Sequence, residues 1–120
     1  MKRILLAIFL AFGLGNLYAQ IDNEILRKAI GYYQQLEFEK SIEIFDQLVL
    51  ANPDDYSLQG RRGFVISEYL KAMNDNTVVK VEANIYDDLL NKGLSDLKQS
   101  LEKFPYNADN KNALSYLKGL

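Results

Sequence analysis

The sequence has no cysteine, no histidine and no tryptophan, and only two prolines in 120 residues. Without cysteine there is no disulfide framework, no thiolate zinc site and no thiol nucleophile. Without histidine there is no Ser-His-Asp or Cys-His machinery and no histidine metal ligand. A basic balance is missing too. Lys and Arg total 14 against 16 Asp and Glu, a net charge of −2. A nucleic-acid binder normally carries a basic patch or stripe, so nucleic acid is not an expected partner. What is there is a globular composition, 48% hydrophobic and 25% charged, of a length that suits one small domain.

The N-terminus reads as a secretion address. Met1, Lys2 and Arg3 form a basic start, and residues 4–15 are an uncharged apolar run. Asn16, Leu17, Tyr18 and Ala19 follow, ending on a small residue. This order is that of a signal peptide, with cleavage expected after Ala19. Leu17 is larger than the small residue such a site prefers two positions earlier. The alternative is a retained membrane anchor. Spanning a bilayer takes about 20 apolar residues, and residues 4–19 offer fewer, with Asn16 among them. The expected organisation is therefore a signal peptide at 1–19 and a helical domain at 20–120. Removal of 1–19 takes away Lys2 and Arg3 and leaves a more acidic chain. The expected address is across the inner membrane, in a bacterial periplasm. Contact with the membrane is expected only through the signal peptide.

The rest of the chain carries helical periodicity. Ile25, Ala29, Tyr32, Tyr33 and Leu36 recur at three and four residues, which predicts a helix over 22–36. Asp22 or Asn23 could cap its start. Phe38, Ile42, Phe45, Leu48 and Val49 mark a second helix, ending before the Asn52-Pro53-Asp54-Asp55 turn. A very short link between the two predicts a helical hairpin. A third helix fits 55–73, with Leu58, Phe64, Val65, Tyr69, Leu70 and Met73 as its apolar residues. From 77 to 104 one face carries Val78, Val81, Ile85, Leu89, Leu90, Leu94, Leu97, Leu101 and Phe104. Residues 77–81 alone would suit a strand, because β-branched residues favour one. A lone strand has no partner here, so a helix or a frayed helix start is expected. A last short helix fits 107–118, with Gly119 as its stop.

Ile25, Lys28, Ala29 and Tyr32, then Ser41 and Phe45, then Pro53 resemble the tetratricopeptide repeat. The phrase from Tyr32 to Ile42 is close to a typical repeat interior. Ile25, Lys28, Ala29 and Ser41 depart from the family's Trp, Leu, Gly and Ala. A second, stretched unit has Gly63 at the small position of its first helix. In its second helix Gly93 and Leu97, then Pro105, repeat the Ser41, Phe45, Pro53 spacing. Longer helices on both sides of Asn74-Asp75-Asn76 would absorb the extra residues. Leu114 and Ser115 would lie in a closing half-repeat. The expected fold is all-α: a stack of about two hairpins plus a closing helix. Gly63 and Gly93 are expected where helices cross closely. The alternative is an unrelated bundle of four or five helices.

Little catalytic chemistry is available. Asp55 suits a helix cap better than catalysis beside Asp54. Asp87 and Asp88, adjacent on one helix, point apart, and Glu37 and Glu39 are a further pair of acids. Asn74-Asp75-Asn76 lacks the spacing of a calcium loop. Gly60-Arg61-Arg62-Gly63 lacks the ending of a phosphate loop. No enzyme activity, cofactor or metal is expected. What remains is a surface.

In the repeat that the sequence resembles, the first helix of each hairpin lines a concave groove. That implies Leu26, Ile30, Tyr33 and Gln34 from one hairpin, and Phe64, Ser67 and Glu68 from the next. Arg27, Arg61 and Arg62 could clamp a partner carboxylate. The competing expectation is that the apolar residues are buried against neighbours and the arginines simply solvated. The resemblance thus implies a protein-binding module for a segment of an envelope protein. The alternative is a self-assembling structural protein, paired through Leu and Val side chains on residues 77–104.

Overall fold

Each proline follows a helix, and the helix ends are where the chain is most explicit. The computed structural model describes the backbone of residues 11–120 and the side chains of residues 23–120. The expected signal peptide at 1–19 lies outside the fully described residues. Five helices follow one another: α1 (Ala11–Gln34), α2 (Phe38–Ala51), α3 (Tyr56–Asn74), α4 (Ala83–Lys103) and α5 (Ala108–Lys118). There is no strand among the described residues. The fold is all-α: an α1/α2 hairpin, an α3/α4 hairpin and a closing α5 packed on both α3 and α4.

Helix α1 closes with two hydrogen bonds of the Schellman type. The N–H of Leu36 donates to the Tyr33 carbonyl (2.9 Å) and that of Glu37 to the Tyr32 carbonyl (2.8 Å). Leu36 sits at φ 63°, a left-handed conformation in which its Cβ crowds the following carbonyl. Helix α3 closes the same way, with Asn76 at φ 62° and the Thr77 N–H on the Ala72 carbonyl (2.8 Å). Asn tolerates that region better than Leu. Helix α2 ends where the Asn52 amide donates to the Leu48 carbonyl (2.9 Å) and Pro53 has no N–H to continue. Asp55 caps α3, accepting from the N–H groups of Ser57 and Leu58. Asn107 caps α5, accepting from the Asn110 N–H.

Two boundaries differ from the sequence expectation. Helix α1 already runs through Asp22 and Asn23, so neither caps its start. Helix α4 begins at Ala83, not at Thr77. Thr77, Val78, Val79 and Val81 are β-branched and lose side-chain freedom in a helix. Residues 77–82 therefore run as a non-helical strap between α3 and α4. The extra length of the second hairpin is thus shared between longer helices, of 19 and 21 residues, and this strap.

Helix α3 is the central element, and Ile66, Leu70 and Met73 are fully enclosed along it. Its approach to α4 is set by glycines. A Cβ on Gly60 would collide with the Ser100 hydroxyl, and one on Gly63 would lie 2.8 Å from Leu97 Cγ. A Cβ on Gly93 would lie 2.9 Å from both Ile66 Cγ2 and Leu117 Cδ1. Gly63 and Gly93 therefore sit at close crossings, as their spacing predicts. In the first hairpin Ser41 plays the small-residue part. It is fully buried, and its hydroxyl donates to the Ala29 carbonyl across the hairpin (2.8 Å). That bond satisfies the hydroxyl, which would otherwise carry a desolvation cost.

Candidate partner-binding groove

Stacking two hairpins and a closing helix brings α1, α3 and the start of α5 to one side. There they border a cleft of about 470 Å³. Helix α1 supplies Ile30 and Tyr33, and α3 supplies Arg61 and Phe64. The edge of the Tyr33 ring meets the Phe64 ring at 6.0 Å and 70°, which joins the two hairpins at the cleft wall. Tyr33 also meets Phe38 edge-on at 6.0 Å, and Phe38 stacks on Tyr69 at 5.1 Å. The aromatic chain therefore runs from the cleft wall into the core, fixing the wall by packing.

The tyrosine hydroxyls respond to this burial. Burial raises the Tyr33 phenol above its ordinary value, helped by the charges of Glu68 and Asp109. Tyr33 thus stays a neutral donor at physiological pH. Tyr69 is pushed up to about 12 by burial and then by Glu39.

Several groove residues were not legible in the sequence. Asn107, Asp109 and Asn110 reach the cleft from the start of α5, and Ser100 and Phe104 from the end of α4. Phe45, Ser57 and Val65 complete the lining. Pro105 marks a stop by its spacing, but nothing in that spacing ties the following turn to α1. Ser100 and Asn110 are themselves buried, as are Phe45 and Val65, so the base of the cleft mixes polar and apolar groups. A site of this kind offers apolar anchorage plus a few orienting hydrogen bonds.

The expected residues divide clearly. Ile30, Tyr33, Arg61 and Phe64 meet in the cleft. Leu26 packs against the core, and Gln34 is exposed outside the cleft lining. Ser67 is a correction: it is fully buried inside the core, and its hydroxyl has no hydrogen-bond partner among the described residues. It faces the helix crossing, one helical turn from Gly63, and cannot line an open groove. Glu68 stands beside Lys71 (3.6 Å) and outside the cleft lining. Arg27 is exposed on α1 and does not line the cleft.

Arg62 is the second correction. It is not a free clamp, because it is spent on tying three helices together. Its Nε and Nη2 donate to both oxygens of Asp96 on α4 (2.7 and 2.8 Å). Its Nη1 donates to Asp46 on α2 (3.0 Å), where Lys92 also donates (3.2 Å). The Asp96 side chain is only 2% exposed. Burial pushes its carboxyl above the usual range, while Arg62, Lys92 and Gln59 pull the other way. Burial also works against the Arg62 charge, but Asp96 and Asp46 outweigh it and raise that group. Arg61, one residue earlier, points to the cleft and makes no ion pair among the described residues.

No group of three or more metal-ligating side chains occurs among the described residues. No helix of the described residues is long and apolar enough to cross a membrane. The chain matches no family model, no curated protein and no solved structure.

Proposed function

We propose that this chain is a non-catalytic protein-interaction module that holds a segment of a partner protein in the cleft between α1, α3 and α5. One observation carries the proposal: Ile30, Tyr33, Phe64 and Arg61, which makes no ion pair among the described residues, converge on one cleft of about 470 Å³. The apolar wall takes one or two large side chains of the segment. Arg61 takes a carboxylate on it, with the bidentate geometry that a guanidinium offers. The tetratricopeptide resemblance belongs to the same proposal, since its first helices correspond to α1 and α3. So do the signal peptide at 1–19 and the envelope location of the partner. No chemistry is assigned to Asp54, Asp87 or Asp88, and Asp55 is engaged as a helix cap.

A random-peptide display library tests the proposal. Selection on the wild-type chain should enrich peptides that pair an acidic group with aromatic or aliphatic residues. Arg61→Glu should lose them, because it replaces attraction by repulsion at an exposed position that leaves the fold intact. Enrichment that is equal on wild type and Arg61→Glu, or no enrichment at all, counts against the cleft.

A further inference from the structure

The cleft carries charge of both signs, and the reading above uses only one of them. Of the residues that line it, only Arg61 and Asp109 are charged. Arg61 comes from α3 and Asp109 from the first turn of α5. Both are exposed, and neither makes an ion pair among the described residues, with the other or with any third group. Glu68, outside the lining, has Lys71 beside it (3.6 Å). A second observation ties Asp109 to the cleft wall: its charge reaches the Tyr33 phenol and helps to raise it. Asp109 is not the cap of α5, because Asn107 already accepts the Asn110 N–H (2.9 Å). An acid in a first turn favours its helix through the macrodipole, but that role does not depend on facing a cleft.

Two unpaired charges of opposite sign in one cleft constrain what it can hold. A segment with acidic groups alone is attracted at Arg61 and repelled at Asp109. One with basic groups alone meets the reverse. Exposed pairs of either kind are of similar, small size, so a segment of one sign gains little net attraction. A segment that bears both signs gains at both residues. Complementary charges of this kind choose the partner and fix its register more than they add affinity. Repulsion of the wrong partner is part of that choice, and here Asp109 supplies it against purely acidic segments.

We infer that the segment held in the cleft is dipolar: it carries an acidic residue for Arg61 and a basic residue for Asp109, with its apolar side chains against Ile30, Tyr33 and Phe64. This rests on the groove reading above and adds Asp109 as the residue that discriminates among segments with an acid for Arg61. Tyr33, neutral at physiological pH, adds no third charge to the pattern. The two sites are fixed on separate helices, so the acid and the base of the segment stand at one spacing.

Random-peptide selection on the full chain, on Arg61→Glu and on Asp109→Lys tests this. The wild type should enrich peptides in which an acid and a base recur at a constant spacing beside aromatic or aliphatic residues. Those peptides should bind Asp109→Lys about tenfold more weakly, because an exposed attraction is lost and a repulsion of like size replaces it. Fresh selection on Asp109→Lys should enrich peptides with an acid where the wild-type peptides carry the base, and the rest of the pattern unchanged. Circular dichroism on each variant checks that the helices stay formed, which separates a lost contact from a lost fold. Wild-type peptides without a recurring base overturn the inference, as does equal binding of base-bearing peptides to the wild type and Asp109→Lys. If Arg61→Glu still loses those peptides, the groove reading stands without it. Peptides that bind Arg61→Glu and the wild type equally, or no enrichment at all, overturn both.

Discussion

Replacing Gly63 by alanine should cost stability, while the same replacement at Gly31 should add it. Both glycines lie inside helices, so both gain about 1 kcal/mol of helix propensity when a methyl is added. They differ only in what the methyl meets. At Gly31 no atom of the described residues lies within 4 Å of the added carbon, so the propensity gain stands alone. At Gly63 the new carbon would lie 2.8 Å from Leu97 Cγ and 2.9 Å from Asp96 Cβ. Neither atom is the free end of a flexible chain. Leu97 is fully enclosed, and Asp96 is held by Arg62. Helix α4 must therefore move as a unit or Leu97 must leave its rotamer. Overpacking of this kind costs about 1–3 kcal/mol, and displacement of Asp96 adds strain to the ion pair. After the propensity gain, Gly63→Ala is expected to lose up to about 2 kcal/mol. Thermal and urea unfolding, followed by helical circular dichroism, read both variants. One kcal/mol shifts the midpoint of a domain this size by about 4–8 °C. Equal stabilisation at the two positions would refute the close α3/α4 crossing.

Other predictions follow from the same packing. Arg62→Leu should destabilise by about 3–5 kcal/mol, since it leaves the buried Asp96 carboxylate without its partner. The double change Arg62→Leu with Asp96→Leu should recover most of that loss, and additive losses in urea unfolding would contradict the pairing. Because burial raises the Asp96 carboxyl in the folded state, its contribution favours folding below the ordinary carboxylate value and is lost as pH rises through the raised one. The Arg62→Leu defect should therefore shrink in acid, which stability measured across the acidic range would show. Tyr69, with its phenol at about 12 in the fold against about 10 unfolded, contributes stability that is complete below pH 10 and fades between about 10 and 12. Tyr69→Phe should flatten the alkaline stability curve in that window, and an unchanged curve would count against its burial. Leu36→Gly should stabilise by up to about 1 kcal/mol, because it removes the left-handed strain at φ 63°. Leu36→Val should do the reverse, and both are read by the thermal midpoint.

Much of the architecture is legible from short-range signals. The stop at Pro53 and the cap at Asp55 each rest on local chemistry, whereas Leu36, which the spacing placed in the first helix, forms the hairpin turn instead. The small residue at Gly63 is legible too, because helical spacing places it on the same face as the buried Ile66 and Leu70. The strap is where local periodicity misleads. Val78 and Val81 fit a helical face by spacing, but β-branching and the late start at Glu82 set the backbone. The groove is half legible for a related reason. Ile30, Tyr33, Arg61 and Phe64 lie on faces that the repeat spacing identifies. The contribution of α5 depends on how the closing helix docks, which no local pattern encodes. Arg61 and Arg62 show the limit most sharply. They are adjacent and chemically identical, and only the hundred-degree turn between them sends one to the cleft and the other to Asp96.

The most direct measurement places a photo-crosslinking residue at Ser57, exposed on the rim of the cleft, and compares it with Gln47, exposed on α2. The chain is expressed in cells and the crosslinks are identified by mass spectrometry. The account predicts one recurrent protein partner, captured from Ser57 and not from Gln47, and lost in Arg61→Glu. Capture from both positions alike, or from neither, would contradict a cleft built to hold a partner segment.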